Sequence, residues 1–79
     1  MYPENEVKTK NRIKGFMRDK HSAILPEVIT KYIYRHMTIS DAELILDEMV
    51  ETDDRILKSK LEDGSYVYYY KYIKKKRYY

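Results

Sequence analysis

Cysteine, tryptophan and glutamine are absent from this chain, and glycine and proline occur only twice each. Without thiols, neither disulfide bonds nor thiolate zinc sites can stabilise the fold. No apolar run reaches the roughly 20 residues that span a bilayer. The first residues, Met-Tyr-Pro-Glu-Asn, lack the apolar core of a secretory signal. We therefore expect a cytoplasmic protein, or a protein of the host cytoplasm if the source is a virus.

Charged residues and tyrosine are abundant instead. The 79 residues are 43% hydrophobic and 37% charged, and 10 of them are tyrosine. A chain of this length forms one domain and buries only about 60% of the surface that its unfolded form exposes. Charged residues in place of thermolabile ones are a tendency of hyperthermophiles. An AT-rich genome gives the same bias, so a thermophilic archaeal or viral source is one of two interpretations.

The net charge of +3 conceals three blocks of alternating sign. Residues 1–36 hold eight basic and four acidic side chains, residues 37–64 hold three and nine, and residues 65–79 hold five and none. The block sums of +4, −6 and +5 recover the total of +3. A binding partner would respond to this distribution more than to the net charge.

Residues 3 to 20 predict a first helix with a weak apolar stripe. Pro3 suits the first turn of a helix, whereas Gly15 costs about 1 kcal/mol relative to alanine inside a helix. The apolar positions are Val7, Ile13, Phe16 and Met17. Six basic residues make much of the surface positive: Lys8, Lys10, Arg12, Lys14, Arg18 and Lys20. That surface either faces phosphates or is solvated.

A second helix is predicted from Pro26 to about Met37, after a short extended connector at residues 22–25. The residue before a proline is biased toward β geometry, which favours the extended connector. Apolar residues then recur at helical spacing, at Val28, Ile29, Tyr32, Ile33 and Met37. The positions expected to face solvent are Glu27, Thr30, Lys31, Tyr34 and Arg35.

The third helix has the clearest predicted start in the chain. Ser40 and Glu43 fit a capping box, in which the Ser40 hydroxyl accepts from the Glu43 amide and the Glu43 carboxylate accepts from the Ser40 amide. Ile39 and Leu44 occupy the positions of the matching hydrophobic staple. The helix should end near Thr52. Its predicted buried stripe consists of Ala42, Ile45, Leu46, Met49 and Val50.

Asp63-Gly64 predicts a β-hairpin, because this dipeptide is the strongest two-residue turn signal and β-prone residues flank it. A two-residue turn pairs Lys58 with Tyr69. One face then gathers Leu57, Ser59, Leu61, Tyr66, Tyr68 and Tyr70, and we expect it to cover the helices. The other face, a basic strip with one aromatic, gathers Ile56, Lys58, Lys60, Val67, Tyr69 and Lys71. If the turn has another length, the faces exchange and Tyr66, Tyr68 and Tyr70 become an exposed stacking surface.

In this order the elements resemble the winged helix-turn-helix family, and residues 24–73 carry the likeness. The segment from Thr38 to Glu51 has the third-helix cadence of a polar cap followed by aliphatic residues that lead into a hairpin. The resemblance implies an α+β fold, a small winged helix of three helices followed by a two-stranded hairpin wing. In this family the third helix usually enters the major groove and the wing touches phosphates or the minor groove. We expect one domain over residues 1–73 and a basic, tyrosine-ending tail over residues 74–79.

The third helix departs from the family's DNA-reading pattern. Its outer face carries Asp41, Glu43, Leu44, Asp47, Glu48 and Glu51. A groove-reading helix offers basic or amide side chains there, and duplex DNA carries one negative charge per roughly 1.7 Å. Reading of the major groove by this helix is therefore not expected.

The first functional hypothesis is a nucleic-acid-binding protein, with duplex DNA as the expected partner and transcriptional regulation as one role. Phosphates would be contacted by the wing, the tail and the outer face of the second helix, and Tyr69, Tyr78 or Tyr79 would stack on bases. The candidate residues are Lys31, Arg35, Lys58, Lys60, Tyr69, Lys71, Lys74, Lys75, Lys76 and Arg77. The alternative for the wing lysines is that they protect a sheet edge against aggregation.

The second hypothesis is a protein-interaction module or accessory subunit that binds a basic partner. The candidate residues are Asp41, Leu44, Asp47, Glu48 and Glu51. The alternative is a solvated helix face. Homodimers are common in this class, and nothing in the sequence indicates a membrane partner.

An enzyme is not expected. His21 and His36 lie 15 residues apart, with no cysteine, no glycine-rich phosphate loop and no His-Glu-x-x-His spacing. We therefore predict no catalytic residues, no metal site and no cofactor.

Overall fold

The computed structural model describes residues 5–20 and 22–71. Its elements are, in chain order, α1 (Glu6–Lys20), α2 (Pro26–Tyr32), α3 (Ile39–Thr52), β1 (Ile56–Lys60) and β2 (Tyr66–Tyr70). Three helices followed by a two-stranded antiparallel hairpin confirm the predicted α+β class and its winged-helix layout. None of the described helices has both the length and the apolar character needed to cross a membrane.

Helix α1 packs through three residues spaced four apart. Thr9, Ile13 and Met17 are buried, so the stripe is regular where the apolar pattern alone looked partial. Thr9 can be buried because its hydroxyl donates to the Asn5 carbonyl at 2.9 Å. The Asn5 side chain accepts from the Lys8 amide at 2.9 Å and so caps the helix. Pro3, the predicted first-turn residue, lies outside the described residues.

Helix α2 is shorter than predicted and ends at Tyr32 rather than near Met37. The amides of Ile33 and Tyr34 both donate to the Ile29 carbonyl, at 3.0 and 2.9 Å, which closes the helix. Beyond this point the helical period no longer applies. Tyr34 is therefore buried and Tyr32 is exposed, the reverse of the prediction.

The predicted start of α3 at Ser40 is wrong by two residues. Thr38 is the N-cap, and its hydroxyl accepts from the Asp41 amide at 3.1 Å. With this cap the staple positions fall on Met37 and Ala42, which are both buried. The Ser40 cap would have assigned them to Ile39 and Leu44, whose side chains are 51% and 56% exposed. Burial of the core residues therefore selects the earlier cap.

The core forms where α3 lies against the other helices and the wing, which we define as residues 56–70. The predicted α3 stripe is confirmed, with Ala42, Ile45, Leu46 and Met49 buried and Val50 half-buried. The end of α3 at Thr52 is also confirmed. The same cluster includes Ile13, Met17, Ile24, Val28, Ile29, Tyr34, Met37, Ile56 and Tyr68.

The connector before α2 adds a short pairing to the sheet. Ile24 and Tyr68 form an antiparallel bridge, with the Ile24 amide donating to the Tyr68 carbonyl at 2.8 Å and the Tyr68 amide donating to the Ile24 carbonyl at 2.9 Å. The predicted extended geometry of this connector is therefore confirmed. Strand β2 lies between residue 24 and β1.

The predicted hairpin register is wrong by one residue, because the turn contains three residues rather than two. The Leu61 amide donates to the Ser65 carbonyl at 2.7 Å, and the Gly64 amide donates to the Leu61 carbonyl at 3.1 Å. Gly64 has φ +92, and the Asp63 carboxylate accepts from the Ser65 amide at 2.9 Å. Such a turn, with glycine in the left-handed region at its end, is a common three-residue hairpin loop.

The shifted register exchanges the two faces of β1 but leaves those of β2 unchanged. Lys58 pairs with Tyr68, and Leu57 pairs with Tyr69. Ile56 is buried, whereas Leu57 is half-buried against a second cluster on the other face. The expectation that Tyr68 would become exposed under another turn length is also wrong, since Tyr68 remains in the core.

A cluster at Asp53 joins α1, α3 and β1. The Asp53 carboxylate accepts from the Arg55 amide at 3.0 Å, from the Arg55 guanidinium at 3.1 Å and from the Lys14 ammonium at 2.9 Å. Burial raises the pKa of Asp53, but these hydrogen bonds outweigh it and hold the pKa well below its ordinary value.

The two glycines should respond to alanine with opposite signs. Gly64→Ala forces a residue with a Cβ into a left-handed conformation, and we expect a loss of about 1 kcal/mol in unfolding free energy. Gly15 lies inside α1, with open space where a Cβ would lie, so Gly15→Ala should gain up to about 1 kcal/mol. Urea unfolding followed by circular dichroism measures both. A gain in Gly64→Ala would contradict the left-handed conformation of the turn.

The Asp53 cluster predicts acid sensitivity. The pKa of Asp53 in the folded state lies below its unfolded value of about 3.9. The contribution of Asp53 to the free energy of unfolding is therefore complete above about pH 4 and is lost as the pH falls through the folded pKa. Asp53→Asn should lower the free energy of unfolding by about 1 kcal/mol at neutral pH. The difference in this free energy between the variant and the wild type should shrink below about pH 4. Urea unfolding across this range checks it, and Asp54→Asn, at an exposed neighbour, is the control.

Candidate functional site

A groove of about 420 Å³ lies between α3, the start of α2 and the wing. It is lined by Leu25, Pro26, Glu27, Ile39, Glu43, Asp47, Lys58, Gly64, Ser65, Tyr66 and Tyr68. Three of these side chains are carboxylates and one is an ammonium group, so we call it the acidic groove. The groove therefore lies between the third helix and the wing.

One wall of the acidic groove is a ridge of α3. Ile39, Glu43 and Asp47 are spaced four residues apart, which places them above one another on one side of a helix. Ile39 and Glu43 are exposed. The ridge therefore offers an apolar side chain followed by two carboxylates over about 12 Å of helix.

The opposite wall belongs to the wing and is tied to α3 through Asp47. The Tyr68 hydroxyl donates to the Asp47 carboxylate at 2.6 Å, and the Lys58 ammonium donates to the same oxygen at 2.8 Å. Burial raises the pKa of Asp47, but the bonds from Lys58 and Tyr68 outweigh it and the pKa lies below its ordinary value. Burial, followed by the bond to Asp47, raises the pKa of Tyr68. Asp47 is therefore ionised and Tyr68 is neutral at physiological pH.

Lys58 is held by rings as well as by charge. Its ammonium lies 4.3 Å from the centre of the Tyr66 ring and 5.5 Å from that of Tyr68. Cation–π contacts at this distance add about 0.5–1 kcal/mol at exposed sites. A phosphate that approached Lys58 would compete with both rings and with the Asp47 carboxylate for the ammonium. The structure therefore uses this predicted nucleic-acid contact within the domain.

Tyr69 does not lie with the wing lysines as predicted. Its side chain is 9% exposed and packs with Ala23 and Val67 on the other face of the sheet. The cause is the three-residue turn, which places Lys58 and Lys60 opposite Tyr68 and Tyr66 instead. Base stacking on Tyr69 is excluded by its burial.

The other predicted basic residues are dispersed over the described part of the chain. Lys60 is exposed near the loop of the wing, and Lys71 is exposed about 16 Å away at its base. Lys31 lies in the last turn of α2, with its ammonium 5.4 Å from the centre of the Tyr32 ring, and Arg35 is exposed beyond that helix. Lys74, Lys75, Lys76 and Arg77 lie outside the described residues.

The predicted acidic face of α3 divides between two neighbours. Asp47 turns toward the wing, whereas Glu48 turns toward α1 and lies 3.4 Å from the Lys10 ammonium. Lys10 also pairs with Glu6 at 2.9 Å. Asp41 is half-buried in the first turn of α3, and Leu44 and Glu51 are exposed. Part of the acidic face therefore holds the domain together.

The sequence alone identifies Asp47 and Lys58 as candidate site residues, as parts of two different proposed surfaces, but misses most of the acidic groove. Glu27 comes from another helix, and no pattern in one sequence places it beside α3. The sequence pattern assigns Ile39 to the helix cap and Tyr66 to the face that covers the helices. The spacing of Glu43 and Asp47 is a usable signal, since residues four apart share a helix face.

The groove combines negative charge with apolar surface. Within residues 5–20 and 22–71, no group of three or more histidine, cysteine or carboxylate side chains is placed to hold a metal ion. Glu27 and Glu43 offer negative charge and hydrogen-bond acceptors, while Ile39 and Tyr66 offer apolar contact. Tyr66 is 42% exposed. These features suit a ligand that combines cations with apolar groups.

Comparison with known proteins finds no matching family model, no matching curated protein and no matching solved structure. Function must therefore be inferred from the geometry of the acidic groove and from the layout of the elements.

The bond between Tyr68 and Asp47 should be measurable in stability. Tyr68→Phe removes one hydroxyl and leaves Asp47 with fewer donors, so we expect a loss of about 1–2 kcal/mol in unfolding free energy. Tyr66→Phe, on the same face of the same strand, is the matched control and should change it by less than about 0.5 kcal/mol. Equal effects in urea unfolding would show that the Asp47 bond contributes nothing specific.

Proposed function

We propose that this protein is a non-enzymatic winged-helix interaction module that binds a basic segment of a partner protein in the acidic groove. The observation that supports this most is the composition of the groove. Exposed carboxylates of Glu27 and Glu43 flank exposed apolar side chains where a DNA-reading winged helix presents cations. The lysine that lines the groove, Lys58, is already paired with Asp47.

Electrostatics disfavours a duplex in this groove. Two unit charges 4 Å apart repel by about 4 kcal/mol at the effective dielectric constant of a protein surface. A phosphate backbone that approached Glu27 and Glu43 would meet this repulsion, and Lys58 would offset little of it because its charge is already paired with Asp47. The cations of a peptide that contains lysine or arginine would instead be attracted to Glu27 and Glu43 by a Coulomb energy of similar size.

The apolar side chains define the second requirement on the partner. Ile39 and Tyr66 leave apolar surface in contact with water, and burying it contributes about 25 cal/mol per Å². Opposite charges accelerate encounter and favour the correct orientation more than they raise affinity. The partner segment should therefore contain basic residues that alternate with, or lie next to, aliphatic or aromatic residues. Its affinity for the groove should decrease as the salt concentration rises.

Nucleic-acid binding is a second candidate, and one observation favours it. No acidic residue follows Asp63, and the chain after that point carries Lys71, Lys74, Lys75, Lys76 and Arg77. Together with the exposed Lys60, this segment would contact phosphates without using the acidic groove. Such binding would have low sequence specificity, because phosphate contacts carry no base information.

Peptide binding tests the main proposal. We expect a fluorescein-labelled peptide of alternating lysine and leucine to bind with a Kd in the micromolar range, and to bind at least tenfold more weakly when salt rises from about 50 to about 200 mM. Glu43→Lys should weaken binding about tenfold or more, because it removes an attraction and adds a repulsion. Fluorescence anisotropy measures both effects.

Glu51→Lys is the matched control, since it makes the same charge change on the same helix outside the groove. It should leave peptide affinity within about twofold after correction for net charge. Equal losses in the two variants would overturn the groove as the binding site. Tight binding of labelled duplex DNA that Lys60→Glu with Lys71→Glu weakens, together with no peptide binding, would establish the second candidate instead.

A further inference from the structure

The chain itself contains a segment with the chemistry that the acidic groove requires. Residues 72–79, outside the described residues, have the sequence Tyr-Ile-Lys-Lys-Lys-Arg-Tyr-Tyr. Four consecutive cations are flanked on each side by apolar or aromatic residues. The groove presents the complement, with carboxylates beside the apolar surface of Ile39 and Tyr66.

We propose that the occupant of the acidic groove is the segment 72–79 of a second copy of this chain. This inference rests on the proposed function and names its partner. In each contact, the lysines and Arg77 of one copy would lie against Glu27 and Glu43 of the next, and the flanking tyrosines would cover Ile39 and Tyr66.

The other basic segment of the chain is a weaker candidate. Helix α1 is also rich in lysine, but Lys10 already pairs with Glu48 of α3 and Lys14 pairs with Asp53, the residue that follows α3. The helix itself is packed into the core through Ile13 and Met17. Occupation of a second groove would require those contacts to break, whereas residues 72–79 follow the last strand of the domain.

Geometry favours a second copy over the same copy. The Lys71 amide donates to the Arg55 carbonyl at 2.7 Å, so the last described residue lies at the base of the wing. The groove residues Gly64, Ser65 and Tyr66 lie at the other end of the wing, about 16 Å away along β2. Strand β2 runs away from them. To reach its own groove, the segment of eight residues, which spans at most about 28 Å, would have to reverse its direction and run back along the wing. The segment of a second copy would enter the groove from outside the domain without that reversal.

The resulting contact is heterologous, because a groove on one copy meets a tail on the next. Such contacts form rings when the rotation between copies closes, and open chains when it does not. The attraction is largely electrostatic, so association should depend on protein concentration and should decrease as salt screens the charges.

Two variants separate the two halves of the contact. The groove variant carries Glu27→Lys and Glu43→Lys, both at exposed positions, and leaves Asp47 in place to hold Tyr68. The tail variant carries Lys74→Glu, Lys75→Glu, Lys76→Glu and Arg77→Glu. Circular dichroism verifies that both fold, and Glu27→Gln with Glu43→Gln serves as a milder groove variant if the lysines unfold the domain.

Size-exclusion chromatography with light scattering gives the result. We expect the mass of the wild-type protein to rise with concentration at about 50 mM salt and to return to one chain at about 500 mM. Each variant alone should remain one chain. Their equimolar mixture should contain two-chain species, because the tail variant keeps its groove and the groove variant keeps its tail.

Three outcomes would overturn the inference. A wild-type protein that stays one chain at every concentration, variants that still associate, or a mixture that does not associate would each contradict it. If the wild type stays one chain while the tail variant binds the lysine and leucine peptide more tightly than wild type does, the tail occupies its own groove. Failure of the proposed function is distinguishable, since the tail variant, whose groove is intact, would then not bind that peptide.

Discussion

Tyr68 is the residue on which the relative positions of the elements depend. Its backbone pairs with Ile24 on one side and lies opposite Lys58 on the other. Its hydroxyl reaches across to Asp47 of α3. The ring is among the largest side chains of the core. One residue of β2 therefore joins the connector, the wing and the third helix, so a shift of β2 would break contacts in all three.

The same constraint determines the character of the surface between the wing and α3. Tyr68 holds the face of β1 that carries Lys58 against α3. The Lys58 ammonium therefore forms an ion pair with Asp47. A buried tyrosine hydroxyl and a lysine that share one carboxylate oxygen form a charge-assisted network, which is stronger than the neutral bonds of an ordinary turn. With Lys58 committed to Asp47, the exposed carboxylates of Glu27 and Glu43 give the groove its negative character. The negative character of the groove is therefore a consequence of how the core is closed.

The sequence was sufficient for the order of elements and for the α3 stripe, because helical periodicity and hairpin signals are local. It was not sufficient for the wing register. Asp63-Gly64 fits both a two-residue turn and the end of a three-residue turn, and the flanking pattern does not choose, since Ile56 and Leu57 are both apolar. The cap of α3 was ambiguous for a similar reason, with Thr38 and Ser40 both able to cap. In each case the choice is made by which side chains reach the core, and this is a tertiary property. The composition of the groove could not be predicted for the same reason, since Glu27 and Tyr66 lie beside α3 only in the folded chain.

Helix α1 is attached to the rest of the domain by both its core residues and its charges. Three of its residues are buried, and two of its lysines form ion pairs at the C-terminal end of α3. Partly exposed ion pairs contribute at most about 1 kcal/mol each, so the buried residues Ile13 and Met17, which belong to the same core cluster as α3, supply most of the attachment. The lysines have a further effect, because Lys10 and Lys14 neutralise Glu48 and Asp53. A motion that separated α1 from α3 would leave these carboxylates without their cations, so the packing of one helix determines the sign of the charge that its neighbour shows to the surroundings.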